Sequence, residues 1–166
     1  MKPFSFHSKI GRKLLVLVQG YNHSKYWRRR FVVTNSLDKT NILKKLYYLF
    51  YIKRIDAKFC SSFGTNLNAG AVFKSPPSLP HGLNGIIVGH DVVVGSNCVL
   101  FQQVTIAHGG NVIIGDNVVI GAGAKILKGK VGNNVKIGAN CVVVEDIPDG
   151  ATVVLQKPRI IIHDRN

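Results

Sequence analysis

The sequence predicts a mainly β chain wound as a parallel β-helix, and three observations carry that prediction. Aliphatic residues recur at about every sixth position through residues 79–143: Val88, Val94, Leu100, Ile106, then after a slip Ile114, Ile120, Ile126, Val131 (a step of five), Ile137 and Val143. Glycine follows the aliphatic residue at Gly89, Gly95, Gly115, Gly121, Gly132 and Gly138. The fifth place of the hexad holds small apolar residues at Val92, Cys98, Val104, Val118, Ala124, Val135 and Cys141. A period of six suits strand alternation and not the 3.6 of a helix, so the units are short strands separated by tight glycine turns. One such unit cannot bury its own apolar face and must stack on its neighbours, which makes the repeat a solenoid.

The remaining elements follow in chain order. Leu14, Leu15, Leu17 and Val18 suggest a short helix, and Lys25, Tyr26, Trp27, Arg28, Arg29 and Arg30 interleave aromatic rings with cations. That mixture suits either phosphate contacts with stacking or an aromatic anchor onto the helix body. From about residue 41 to 55, Ile42, Leu46 and Leu49, with Leu43, Tyr47 and Phe50, recur at three and four, which predicts an amphipathic helix capped by Asp38 or Thr40. Its apolar face is expected to cover the open end of the β-helix, leaving Lys44, Lys45, Lys53 and Arg54 on the other side. Residues 64–73 read as an incomplete first coil, with Leu67 and Phe73 six apart, before Pro76 and Pro77 force an extended excursion that delivers His81. The register slips by two across Ala107, His108, Gly109 and Gly110, so a small loop leaves the body there; residues 146–150 turn the chain out, and 153–162 form an irregular last coil or tail. The division is a basic, partly helical segment over 1–60 and a β-helix with its tail over 61–166.

Composition narrows the partners. A chain of 166 residues with 46% apolar content fits one domain plus an extension. Cys98 and Cys141 fall on the inward small-residue register and Cys60 outside it, so reduced thiols are expected, with neither disulfide nor metal. The net charge is +14, of which +12 lies in residues 1–60, where 14 Lys and Arg face only Asp38 and Asp56. Such asymmetry points to a polyanionic partner or an anionic membrane surface, or to a merely solvated basic helix. The longest apolar runs, 14–18 and 46–52, fall short of the ~20 residues that span a bilayer, and the five-residue run at 14–18 is too short for a signal-peptide core of about 7–15 residues. The expected location is cytoplasmic, with the basic segment touching the inner face of the membrane. No nucleic-acid motif is present, and nucleic acid is not an expected partner; a non-catalytic scaffold holding anionic lipid or nucleic acid by charge is the alternative from another class.

Five stretches carry a family resemblance: Leu79-Pro80-His81, Gly85-Ile86-Ile87-Val88-Gly89, Val104-Thr105-Ile106, Ile120-Gly121-Ala122-Gly123-Ala124-Lys125-Ile126-Leu127 and Ile137-Gly138-Ala139-Asn140-Cys141-Val142-Val143. Over roughly residues 63–162 the chain resembles the hexapeptide-repeat acyltransferases, within them the serine acetyltransferase-like branch. The resemblance implies a left-handed β-helix of triangular section with three hexads per coil, a homotrimer, and acetyl-CoA as co-substrate. It also implies that His81 is the general base, set in a cleft between subunits. Acetyl transfer to a hydroxyl needs a base as attack develops, and histidine has the pKa for it. His108, Asn84 and Gln102 are candidates for the acceptor side. Ala107, Ala122 and Ala139 match positions that contact coenzyme A in the family, and Lys125, Lys136 and Lys157 are candidates for its phosphates. His90 reads as solvated surface, and the spacings from His81 to His90 and on to His108 lack the close histidine pair of the zinc-binding β-helix relatives, so no metal is expected.

Departures from the family pattern concern the acceptor. Pro80 stands where serine-specific members have an aspartate, the loop holds only His108, Gly109 and Gly110 where they have an Arg-His pair, and the acidic orienter of the base has no nearer equivalent than about Ser61. One extra residue separates His81 from Gly85, and a short basic segment stands in place of the family's helical domain. The expected acceptor is therefore a sugar hydroxyl of a surface or capsular glycan precursor, with L-serine of cysteine biosynthesis as the alternative.

Overall fold

The computed structural model describes residues 16–157. The start of the first short helix and the end of the C-terminal tail expected from the sequence lie outside the described residues. Helices α1 (His23–Thr34) and α2 (Ile42–Lys58) precede a parallel solenoid of two-residue strands. Face one stacks Ser62–Phe63, Ile87–Val88, Thr105–Ile106, Lys125–Ile126 and Val142–Val143. Face two stacks Val72–Phe73, Val93–Val94, Ile113–Ile114 and Lys130–Val131, and face three Val99–Leu100, Val119–Ile120, Lys136–Ile137 and Thr152–Val153. The chain visits the three faces in turn, so the hexad is one face and three hexads make one coil.

All ten register aliphatics and all seven small residues point inward, each at most 2% exposed. Burying each aliphatic side chain contributes about 1.5–3 kcal/mol, which is why two-residue strands suffice. The glycine places work differently from the expected turns. Gly121 has ordinary φ, but a Cβ on it would lie 2.6 Å from the Ala139 nitrogen, so the glycine admits the next coil. The left-handed turns fall elsewhere in the hexad, on Asn97, Asn117, Asn134 and Asn140. Asparagine tolerates that region, and Asn97, Asn117 and Asn134 pass side-chain hydrogen bonds down one corner at 3.2 Å.

The incomplete first coil has a different form from the one expected. Thr65–Asn66 and Ala69–Gly70 form an antiparallel hairpin with Asn68 in the left-handed region, and Leu67 sits in its turn while Phe73 points into the core. Cys98 and Cys141 are buried free thiols and Cys60 an exposed one.

The helical cap departs further. The aromatic-basic cluster of α1 is an anchor: Tyr26, Trp27 and Arg30 are buried, with the Trp27 ring 5.3 Å from Phe63 and 4.9 Å from Phe73. Arg30 donates to the carbonyls of Phe63 and Ala71, each at 2.7 Å, and to Thr65 Oγ1 at 3.1 Å. Desolvation lowers its pKa to about 10. Helix α2 starts from Asn41, whose side chain accepts the Leu43 N–H, and not from Asp38 or Thr40. Its buried residues are Lys45, Ile52, Ile55 and Asp56, whereas Ile42, Leu43, Leu46, Tyr47 and Phe50 are exposed. The helices do close the solenoid, but the apolar stripe expected to do so faces outward. Lys45, placed on the solvated side by the sequence, is buried because its ammonium donates to Asn35 O and Asn68 Oδ1.

Two outcomes test this cap. Arg30→Met leaves two buried carbonyls without a donor and is expected to cost about 3–5 kcal/mol in urea unfolding, the usual cost of breaking a buried charged group's contacts; a loss below about 1 kcal/mol overturns the assignment. Burial pushes the Asp56 carboxyl up to about 6, against the Tyr26 hydroxyl that donates to it and the nearby Lys53 and Arg30, which lower it. A folded-state pKa raised from 3.8 makes a contribution that is complete below that value and lost as pH rises through 6, about 3 kcal/mol in all. Asp56→Asn keeps an acceptor for Tyr26 and is expected to flatten the melting temperature between pH 4 and 7 and raise it above wild type at neutral pH. An unchanged pH slope in thermal melts overturns this.

Candidate active site

The excursion through Pro76 and Pro77 ends where Ser78 pairs with Val99 on face three, and the chain then turns onto the corner between faces three and one. There His81 stands above a column of stacked turns. Gln103 N–H donates to Asn84 O, Gly123 N–H to Gln102 O and Asn140 N–H to Ala122 O, one rung per coil. His81 is exposed, with its ring 5.7 Å from that of Phe101. Asn84 Nδ2 donates to His81 O at 2.9 Å, so this side chain holds the His81 turn. Gln102 is half-buried and its Oε1 is enclosed without a hydrogen-bond partner. Among the described residues the His81 imidazole has no carboxylate partner. Ser61, the nearest counterpart of the family's orienter, is buried with its hydroxyl on Asp56 O.

Of the other candidates, Ala122 and Ala139 share the His81 corner. Lys125 lies beside it on face one, its ammonium on Gln103 O at 3.3 Å and Thr105 Oγ1 at 3.1 Å. Lys136 is exposed on face three, and Lys157 is exposed beyond the last strand. Ala107 and His108 lie on a different corner, between faces one and two. There His108 Nδ1 meets Asp91 Oδ1 at 3.2 Å, and Gly109 N–H donates to Asp91 Oδ2 at 2.8 Å. Partial burial raises the Asp91 carboxyl, but the Gly109 N–H, its own backbone N–H and His108 together hold it below its ordinary value. His90, expected as plain solvated surface, meets His108 edge-on at 5.9 Å between ring centres and Asn66 Nδ2 at 3.3 Å.

Within one chain, then, face one separates His81 from His108. Sequence reasoning missed Asp91 and Phe101. Asp91 sits one coil before His108, 17 residues away and within reach of the solenoid's stacking period, so that period was the available signal. Two concave pockets lie at the helical end, one bounded by Tyr51, Arg54, Ile55 and Lys58, the other by Arg30, Phe31, Gly70 and Phe73; His81 borders neither. Among the described residues no group of three His, Cys, Asp or Glu could hold a metal, and no helix is long and apolar enough to cross a membrane.

Fold and corner geometry define a hexapeptide-repeat β-solenoid capped by two helices. Its relatives are serine acetyltransferases, which bears out the resemblance read from the motifs. That of Synechococcus elongatus is 36% identical over 105 residues, 59% of this chain and 43% of that one. That of Helicobacter pylori strain 26695 is 36% identical over 109 residues, 61% and 63% of the two chains. A serine acetyltransferase solved in complex with CoA superposes with a TM-score of 0.60 at 29% identity, over 81% of this chain and 53% of that one. The chain thus spans less than two thirds of each of these relatives. No protein-family model matches it.

The Asp91 contacts carry their own test. Asp91→Ala frees the Gly109 amide, and its hydrogen exchange is expected to speed up roughly tenfold or more, given about 1.5–3 kcal/mol for a hydrogen bond to a charged acceptor. Unchanged protection at Gly109 would show that the loop is held by other contacts.

Proposed function

We propose that the chain is an acetyl-CoA-dependent O-acetyltransferase with His81 as its general base and L-serine as its acceptor. The observation that carries this reading is His81 exposed on the corner where Asn84, which holds its turn, tops the Gln102, Ala122 and Ala139 column, in a chain whose relatives are serine acetyltransferases, one of them solved with CoA. The imidazole takes the acceptor's hydroxyl proton, the oxygen attacks the thioester carbonyl, and the tetrahedral intermediate collapses with cleavage of the C–S bond. The imidazolium then returns its proton to the departing thiolate. Ala122 and Ala139 leave room for the pantetheine arm against the backbone, and Lys125, Lys136 and Lys157 are the cations for its phosphates. The working unit is a homotrimer, in which the acceptor meets His81 of one subunit and the His108–Asp91 pair of the next; the separation of these corners within one chain supports it.

The relatives favour serine over the glycan sugar that the departures suggested. The sugar hydroxyl remains a second reading because of one feature, Pro80 beside His81, which offers the serine ammonium no charge. Desolvating an ammonium without a partner costs several kcal/mol, so the KM for serine is expected to lie orders of magnitude above that of a fully equipped site.

Thiol release from acetyl-CoA, measured with L-serine and with N-acetylhexosamines, tests both readings. Turnover of serine with a high KM, reduced at least about a hundredfold by His81→Ala at unchanged coenzyme A affinity, is the expected result. Hexosamine turnover without serine turnover replaces the acceptor, and near-normal rate in His81→Ala beside a dead His108→Ala replaces the base.

A further inference from the structure

We propose that the outward face of α2 is a docking surface for an anionic lipid bilayer. Ile42, Leu43, Leu46, Tyr47 and Phe50 lie on one side of the helix, 44–72% exposed, while Ile52, Ile55 and Asp56 bind the opposite side to the rest of the cap. Five large apolar side chains on one exposed helix face form more than the scattered apolar surface of an ordinary monomer. Lys39, Lys44, Lys53 and Arg54 are exposed at the ends and flank of this stripe. Among residues 16–60 the acids are Asp38, whose carboxylate accepts the Thr40 N–H, and Asp56, which is buried against Tyr26. No exposed carboxylate of α2 neutralises the ring of cations.

Charge complementarity selects the occupant. A second copy docking face to face would bring the same cations against this stripe, and like charges oppose that contact. A neutral apolar partner leaves the cations without a counterpart. An anionic bilayer satisfies both halves: leucine and isoleucine enter the boundary between headgroups and acyl chains, Tyr47 and Phe50 sit at headgroup level, and the Lys and Arg stems reach back to lipid phosphates. The inference stands apart from the acceptor, since it uses no residue of the His81 or His108 corners.

Flotation of the full chain with phosphatidylcholine vesicles, with and without phosphatidylglycerol, tests it. The expected result is binding only to the phosphatidylglycerol vesicles, weakening as salt shortens the Debye length to ~8 Å at physiological ionic strength. Leu43→Ser with Phe50→Ser should weaken binding at least about tenfold. Lys53→Glu with Arg54→Glu should do so about 25-fold or more, because each basic residue at an anionic surface multiplies affinity about fivefold. All four positions are exposed, and an unchanged circular dichroism spectrum confirms the fold. Equal binding to pure phosphatidylcholine, no binding at low salt, or undiminished binding in either double variant overturns the proposal. A Leu43→Ser, Phe50→Ser protein that binds vesicles normally but changes its assembly mass assigns the face to a second copy instead.

Discussion

The guanidinium of Arg30 closes the one coil that has no coil above it. In a parallel ladder alternate backbone groups of an end coil lack a partner strand, and at an apolar end they also lack water. A planar guanidinium answers that need, because its Nη2 donates to both the Phe63 and Ala71 carbonyls and its Nε to Thr65 Oγ1, while its face lies 4.6 Å from the Phe73 ring centre. A lysine ammonium has one nitrogen and no flat face, so it could not also reach Thr65 and stack on Phe73. The position of Arg30 fixes α1, and α1 in turn decides which side of α2 is covered. Tyr26 on the same helix reaches Asp56 of α2, so α2 presents Ile52, Ile55 and Asp56 to the core and its first-half stripe to solvent.

Below that cap, coil length determines where side chains can meet. On face one the register positions Val88, Ile106, Ile126 and Val143 pair in sequence across parallel strands, so successive coils take 18, 20 and 17 residues. Inward packing cannot absorb two extra residues, since every inward place is filled, so the longer coil sheds them at the corner after Ile106. That corner is where His108 and Gly109 lean on Asp91. Gly89 allows it, because a Cβ there would stand 2.7 Å from the His108 backbone. The slip in the repeat and the carboxylate-held histidine are one structural event.

The solenoid was legible because each hexad carries its own instruction: an aliphatic for the interior, a small residue two places before it, and a glycine where coils approach. Every one of those positions behaves as read, apart from the assignment of the turn to glycine rather than to the asparagines. The cap was not legible in the same way. Helix α2 has apolar residues on both sides, and a period of three and four fits the Ile42–Leu46–Phe50 stripe as well as the Ile52–Ile55 one. What breaks the tie is polar and distant in sequence: Tyr26 to Asp56 and Lys45 to Asn68. Asp91 was missed for the same reason, since its partner lies a full coil away. His81 was legible only through its motif; nothing in its own surroundings, an exposed turn beside Phe101, marks it by burial or by charge.

The two histidine corners each hold a different part of what a general base needs. His81 has the column of small residues beneath it but only an aromatic ring beside it, whereas His108 has a carboxylate on Nδ1 but no comparable column. A base on the His81 corner must therefore gain orientation from what binds there, from Phe101, or from a neighbouring chain. Pro80 sharpens that requirement: it stiffens the turn and so limits the motions of His81, yet it contributes neither charge nor N–H donor. In the trimer proposed above, the acceptor is recognised through contacts completed on assembly rather than through groups already in place on one subunit. That proposal places the control of selectivity on the corner of the next chain, in the loop that carries His108 and Asp91.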